Sequence, residues 1–331
     1  MKAMVLRRFG GPDVFEVADL PIPEVQPGQV LLRVAASSLN PLETKIRSGL
    51  VLAITPPFPA ILGSDVCGEV VAVGQADCPF AVGDWVYGMA GGMGQIQGAL
   101  AEYMIADTLL LAHKPHNLAP EQAALFPVVA ITAWEAICEQ PLVHSGDHLL
   151  VHGATGGVGQ IAIQLAKQSG AQVTGSVTSA AKADLARSLG ADHVIISSAE
   201  TLDQAVTRLT QGQGFDAVFD SVGGTHLADS LQAVRRYGTV CTINARTQLD
   251  LGLMHSKALT LKAIFAAIPI LYNQDRQRQG QILSQISQLI EAGQLRIHAD
   301  PEVFAFSDVG QAHARYEARQ ATGKISLVNR F

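Results

Sequence analysis

The sequence predicts an α/β protein: a doubly wound parallel sheet domain inserted in a β-rich domain that is built from both ends of the chain. Three observations carry this. Residues 1 to about 120 are short β-rich runs split by Gly, Pro and Asp. From Ala119 apolar strands alternate with helical stretches. After about Leu261 the pattern changes again. A chain of 331 residues, 48% hydrophobic and 16% charged, exceeds one ordinary core and suits two domains. The expected division is 1–121 with 263–331, and 122–262.

The N-terminal runs are KAMVLRRF, FEVADLPIP, GQVLLRVAAS, DVCGEVVAVG, GDWVYGMA and LAEYMIA, an all-β region that suggests a small barrel or sandwich. In VQPGQV, Pro27 before Gly28 suits a tight turn with positive φ at its second central residue. The stretch APEQAALFPVVAITAWEAICEQ, with Pro120 and Glu121 near its start, reads as one helix. Strands DHLLVHGA, AQVTGSVT, DHVII, FDAVFDSV and TVCTINA then alternate with helices GQIAIQLAKQSG, AAKADLARSLG, LDQAVTRLTQG and THLADSLQAVRRYG. They are βαβ units with the apolar strands of a sheet covered on both faces. The tail gives a strand in LTLKAIFA, an amphipathic helix in GQILSQISQLIEAGQL and a last strand in KISLVNR.

A formal net charge of −6 with no Lys/Arg-rich block argues against nucleic acid as a partner, and Arg235-Arg236 reads as a solvated helix end. Four cysteines at 67, 78, 138 and 241, with no Cys-x-x-Cys, fit a reducing compartment and read as core residues of strands or a helix. The first residues show no secretory signal, and AALFPVVAITAW, at 123–134, falls short of a membrane span. A soluble cytoplasmic protein without membrane contact is expected. His113 and His116 are the only close histidine pair. His148 and His152 lie in a buried strand, where they are expected to pack or bond backbone.

LLVHGATGGVGQIAIQLAKQSGAQV places Gly153, Gly156 and Gly159, with Gly157 added, where a strand ends and a helix begins. Glycines there permit a tight turn and close approach of backbone N–H groups to a pyrophosphate at the helix N-terminus. Ala154, Thr155, Gly156, Gly157 and Val158 are thus cofactor-binding candidates. An acid at the end of the next strand would bind the ribose of NAD. Here no Asp or Glu occurs between Val173 and Lys182; Ser176, Thr178, Ser179 and Lys182 stand instead. Ser and Lys suit a 2′-phosphate, so the cofactor is expected to be NADPH, with Ser179 and Lys182 at that phosphate. The simpler roles are a helix cap for Ser179 and a solvated charge for Lys182.

The motifs GPDVFEV, NPLETKIRSG, LGSDVCGEVVAVG, GDWVYG, LAEYM, HGATGGVG, GADHVI, FDAVFDSVGG and GKISLV span nearly the whole chain. Together they resemble the medium-chain dehydrogenase/reductase superfamily, which implies a Rossmann domain inserted in a GroES-like catalytic domain. Zinc alcohol dehydrogenases of that superfamily carry Cys-x-x-Asp and Gly-His-Glu in two of these regions. This chain has Asn40-Pro41-Leu42-Glu43 and Gly63-Ser64-Asp65, so Asn40 replaces the cysteine and Ser64 the histidine; ALFPVV lacks the third ligand. No metal site is expected. The chain is most similar to the zinc-independent, zeta-crystallin-like quinone oxidoreductases, which implies NADPH-dependent reduction of quinones or α,β-unsaturated carbonyls, often by a homodimer.

A quinone or enone accepts a hydride without a Lewis acid because the charge delocalises onto oxygen, whereas an alcohol must lose its proton and have its alkoxide stabilised, which is zinc's task in the relatives. Asn40 is the candidate donor to the developing oxyanion and lies near the nicotinamide in the family. The resemblance places Thr132 near the nicotinamide end, the Phe265 backbone toward its amide, and Lys324 near the cofactor. Asn244 and Arg246 follow a strand's carboxyl end, where ligands bind in such sheets. Lys45 replaces a frequent pocket tyrosine, and Ser197 a tyrosine beside the 2′-phosphate. Lys45, Tyr87 and water are the candidate proton donors. Two other readings stand beside this one: an alcohol dehydrogenase with relocated zinc ligands, and a non-catalytic NADPH-binding sensor or structural protein. The strand LTLKAIFA pairing with its twin is expected to give a homodimer.

Overall fold

The computed structural model describes residues 1–139 and 142–331. The chain forms two compact units, Met1–Ile131 with Ala267–Phe331, and Thr132–Ala266. The first unit opens with strands β1 (Lys2–Leu6), β2 (Phe15–Asp19) and β3 (Gln29–Ser38), helix α1 (Pro41–Arg47), and strands β4 (Asp65–Val73), β5 (Trp85–Met89), β6 (Tyr103–Asp107) and β7 (Leu111–His113). Helices α2 (Pro120–Ala123) and α3 (Pro127–Trp134) follow, and α3 carries the chain into the second unit.

The second unit is a run of βα repeats: β8 (His148–His152), α4 (Gly157–Gln168), β9 (Gln172–Val177), α5 (Ala180–Ser188), β10 (His193–Ile196), α6 (Leu202–Thr210), β11 (Phe215–Asp220), α7 (Leu227–Ala233), β12 (Val234–Thr242), α8 (Gly252–Lys257) and β13 (Thr260–Ala263). The chain then returns to the first unit with α9 (Ile268–Tyr272), α10 (Arg276–Glu291), β14 (Ala299–Ala305), α11 (Val309–Glu317) and β15 (Lys324–Val328).

In the first unit β14, β15, β3, β4, β5 and β7 form one sheet in that order, β6 pairs with β3, and β1 and β2 form a separate ribbon. The sheet joins the two ends of the sequence through β15, which runs antiparallel to β3 with Ser326 opposite Ser38. One element departs from the all-β reading. Asn40 is extended, Pro41 fills the first helical position, and the Glu43 carboxylate reaches back to the Asn40 N–H, so residues 41–47 coil into α1.

The stretch expected as one helix from Ala119 is broken. Pro127 has no N–H to continue α2 and instead opens α3, and Glu135–Glu139 widen into a π-helical turn. Gln140, the last residue of that expected helix, lies outside the described residues. The 120–139 stretch is apolar and long enough to cross a membrane, longer than the 123–134 run singled out in the sequence, and 72% of its most apolar window is buried inside the protein.

The second unit's sheet is parallel throughout, in the order β10-β9-β8-β11-β12-β13. Strand order reverses between β8 and β11, and ligands bind such sheets outside the strand ends at that switch. Apolar residues of β8, β11 and β12, among them Leu150, Phe215, Val218 and Val240, pack with Leu227 and Leu231 of α7. Helix α7 stops at Ala233, earlier than the sequence pattern indicates, because Val234 is buried in the core and starts β12. Arg235 and Arg236 are therefore strand residues and not a helix end. Arg235 is paired with Asp216 at 2.6 Å, and Tyr237, at φ 61°, bulges the strand. All four cysteines are free thiols; Cys67 and Cys241 are buried strand residues, whereas Cys78 lies in the irregular link between β4 and β5.

Phe215 is fully buried. Phe215→Ala is predicted to lower unfolding free energy by about 3–5 kcal/mol, read as a lower urea midpoint with an unchanged m-value.

Candidate active site

The turn after β8 fits a dinucleotide on its own geometry. Gly153 has φ 69°, a backbone that side chains rarely adopt. A Cβ on Gly159 would lie 2.2 Å from the Gly153 carbonyl oxygen, so the first turn of α4 packs against the turn after β8 only because residue 159 is bare. Gly156 is exposed, serves as the N-cap of α4 with no side chain over it, and donates its own N–H to Gly153 at 2.9 Å. Ala154 is buried and donates to Ser176 of β9 at 3.2 Å; the Thr155 carbonyl accepts from Gln160 at 3.0 Å; Gly157 and Val158 begin α4. The amino end of a twelve-residue helix is thus left to an anion.

At the end of β9, Ser179 caps α5 and accepts from the Lys182 N–H at 3.5 Å, while Lys182 Nζ is 3.4 Å from Thr178 Oγ1 and exposed. Both simple roles hold, and both leave hydroxyl and ammonium groups at the surface where no acid stands. Ser197 follows β10 and is tied to β9 through its N–H to Val177 at 3.0 Å. Asn244, past β12, donates its side-chain amide to Val222 at 3.2 Å, and its carbonyl accepts from Gly224 at 2.9 Å. Arg246 is exposed beside it, and Phe265, two residues past β13, is 43% exposed. Thr132 is buried in α3.

In the first unit the structure brings Asn40 and Lys324 together and adds two carboxylates that the sequence reading quoted without a role. Asp65 is fully buried at the start of β4. One of its oxygens accepts from Asn40 Nδ2 at 2.8 Å, from the Ser38 hydroxyl, and from Lys324 Nζ at 3.5 Å; the other accepts from the Val128 N–H at 2.8 Å. Lys324 Nζ also donates to the Leu39 carbonyl at 2.8 Å and to Asn40 Oδ1. Glu43, fully buried, accepts from the Ser64 N–H at 2.9 Å and from Asn40 Nδ2 at 3.4 Å.

This network gives the side chains occupations other than those expected from sequence. Both hydrogens of the Asn40 amide face carboxylates, and its oxygen faces Lys324. Lys324, expected near the cofactor, has its ammonium sealed among three acceptors, and burial lowers its pKa despite Asp65 and Glu43. Burial, with the nearby Asp65 charge, pushes the Glu43 carboxyl up to about 7 against the opposing Ser64 hydrogen bond. The Ser64 hydroxyl is buried without a hydrogen-bond partner among the described residues. Lys45 is half-buried in the last turn of α1. Tyr87 is removed as a proton donor: its hydroxyl is buried against the Leu283 carbonyl at 2.8 Å and Ser287 at 2.9 Å, and burial raises its pKa. Among the described residues no group of three His, Cys, Asp or Glu side chains is placed to hold a metal ion.

The sequence matches the alcohol dehydrogenase GroES-like domain over residues 26–116 and the zinc-binding dehydrogenase family over 189–327. It is 34% identical to a quinone oxidoreductase of Pseudomonas aeruginosa over 99% of both chains. The chain belongs to the medium-chain dehydrogenase/reductase superfamily. Within that superfamily it is also 33% identical to an NADPH-dependent alkenal/one oxidoreductase of Arabidopsis thaliana, over 98% of this chain and 78% of that one. Its fold matches an alcohol dehydrogenase superfamily protein from Novosphingobium aromaticivorans with a TM-score of 0.93, at 35% identity and over the full length of both. The zinc in one matched family's description meets, in this member, an amide at Asn40 and a hydroxyl at Ser64, neither of them the thiolate or imidazole that zinc favours.

Glu43 holds its proton in the folded state above the unfolded value of 4.5, so its contribution to stability is full below pH 4.5 and is lost as pH rises through about 7. Wild-type unfolding free energy is predicted to fall across that window, on the order of 3 kcal/mol, relative to Glu43→Gln, checked by urea titrations of both proteins at a series of pH values.

Proposed function

We propose that the protein is an NADPH-dependent oxidoreductase that reduces quinones or α,β-unsaturated carbonyl compounds without zinc. One observation carries the reading: the glycine turn that opens the amino end of α4 is followed by a β9 end bearing Ser179 and Lys182 where an acid would select NAD. A carboxylate there would repel a 2′-phosphate, whereas an ammonium and hydroxyls attract it. The relatives named as quinone and alkenal/one oxidoreductases support the same chemistry. In this reading Ala154, Thr155, Gly156, Gly157 and Val158 hold the pyrophosphate, Ser179, Lys182 and Ser197 surround the 2′-phosphate, and Thr132, Asn244 and Phe265 serve the nicotinamide end. When bound, the dihydronicotinamide supplies a hydride for an electron-poor carbon.

The chain's own share is positioning and proton control. Around Asn40 the network holds one ammonium on Lys324, the Asp65 carboxylate and, below about pH 7, a proton on the Glu43 carboxyl. Such a cluster fixes the amide and keeps an acid in reserve. It supplies no thiolate or imidazole to bind zinc and activate an alcohol, so acceptors that delocalise their own negative charge are the matching substrates. Lys45 remains the candidate donor on α1.

Purified protein is predicted to oxidise NADPH with an ortho- or para-quinone or a 2-alkenal, with no added metal and no loss on chelation, and to bind NADPH more tightly than NADH. Lys182→Ala should raise the NADPH Kd about tenfold and leave NADH binding unchanged. Absence of turnover over a broad acceptor panel argues against the substrate class, and equal affinity for both nucleotides argues against the 2′-phosphate site.

We also propose a soluble, cytoplasmic homodimer. The four free thiols and the burial of the 120–139 stretch support the first two terms. For the third, β13 is the outer strand of the second unit's sheet and leaves one edge open to its twin. Light scattering at micromolar concentration is predicted to give twice the 34.9 kDa chain mass, and a monomer there overturns the dimer.

A further inference from the structure

Beneath the nucleotide turn lies a polar cluster that the proposed chemistry does not use. The last residues of β8 and β11, His152 and Asp220, are register partners on adjacent parallel strands at the switch in strand order. Asp220 is fully buried. Its Oδ1 accepts from the N–H groups of Val222 at 2.9 Å and Gly223 at 2.8 Å, and its Oδ2 accepts from the Ser230 hydroxyl at 3.1 Å. The loop it ties down leans on the glycine turn: Ser221 Oγ donates to the His152 carbonyl at 2.7 Å, and a Cβ on Gly153 would lie 2.6 Å from Ser221 Oγ. On its other side the loop meets Asn244, whose carbonyl oxygen would lie 2.2 Å from a Cβ on Gly223.

His226, on the same loop, is half-buried, with Nδ1 3.7 Å from Asp220 and Nε2 3.9 Å from Asp229. Its ring meets His152 edge to face at 4.3 Å. His152 is buried, and among the described residues neither of its ring nitrogens has a partner.

We infer that Asp220 and His226 are a positioning pair that holds the Ser221–Gly224 loop against the Gly153 turn and so shapes the dinucleotide site. The inference rests on reading that turn as the NADPH site. Asp220 fixes the loop through two backbone N–H groups, and His226 places a titratable cation beside it. The groups facing His226 are Asp220 from β11, Asp229 from α7 and His152 from β8; Cys241 of β12 lies near Asp220. Asp220 raises the pKa of the His226 imidazole, while burial, and then the neighbouring His226, drives that of His152 down to about 3. Protonation of the two rings therefore falls on His226, at the strand ends beneath the glycine turn. It is lost as pH rises through the raised pKa of His226, and affinity weakens in the same direction.

The test is calorimetric titration with NADPH from pH 6 to 8.5, with amide exchange of Val222 and Gly223 measured in the free protein. Asp220→Ala is expected to raise the Kd about tenfold and to speed exchange of both amides. Asp220→Asn keeps Oδ1 and is expected to recover most of the affinity. His226→Asn is expected to remove several-fold of the wild-type weakening with pH, a change that loss of packing alone does not produce. If Asp220→Ala does not fold, Ser230→Ala takes its place. Wild type that binds NADPH while every variant stays within about twofold of it, with an unchanged pH profile, overturns the pair's role. Wild type that binds no NADPH overturns the nucleotide reading itself, and the pair's role with it.

Discussion

A carboxylate sealed from water needs a cation or several donors, and Asp65 has both. Its two oxygens collect the Lys324 ammonium, the Asn40 amide, the Ser38 hydroxyl and the Val128 N–H. These come from β15, the residue capping α1, the end of β3 and the first turn of α3. One buried charge thus fixes four segments of the first unit, and none of them can move without leaving a polar group unmatched in a medium that penalises it. The catalytic candidates of this unit owe their placement to that demand: Asn40 is oriented by having each of its polar atoms spoken for.

The second unit builds its glycine turn from close-packed backbone. Gly159 lets the start of α4 approach the Gly153 carbonyl, and Gly153 lets Ser221 approach the turn, to distances that a side chain would forbid. The loop after β11 closes on the same turn through Ser221. Main-chain N–H groups are rigid, preorganised donors, which suits the fixed geometry of a pyrophosphate, whereas the first unit's titratable side chains suit a step in which charge appears and is neutralised.

Much of this was written in local sequence. Glycine spacing at a strand-to-helix junction, and alternation of apolar strands with helices, are short-range signals with a single physical meaning, and they located the nucleotide half. What escaped depended on distance. Nothing near Lys324 announces that its partner is Asp65, 259 residues away, so the internal ion pair was not legible beside the cofactor contact that a resemblance suggested. Arg235 and Arg236 follow a good helical pattern, yet burial of Val234 in the sheet decides for a strand. Pro127 was visible, but an apolar period on both sides of it hid the break. Glu43 had a usable signal, an acid three residues after a capping Asn, although its raised pKa comes mainly from burial, with the nearby Asp65 charge adding to it.

The pairing of β15 with β3 has a consequence for how the molecule is made. β15, residues 324–328, pairs only with Ala36, Ser37 and Ser38, so during synthesis that end of β3 waits for nearly the whole chain before this partner exists. Over that interval Asp65 lacks its lysine, and the 36–38 end of β3 offers bare backbone to any passing strand. The βα repeats between them are held by contacts close in sequence and can fold as soon as they leave the ribosome, so the unit that starts the chain is the last to be completed.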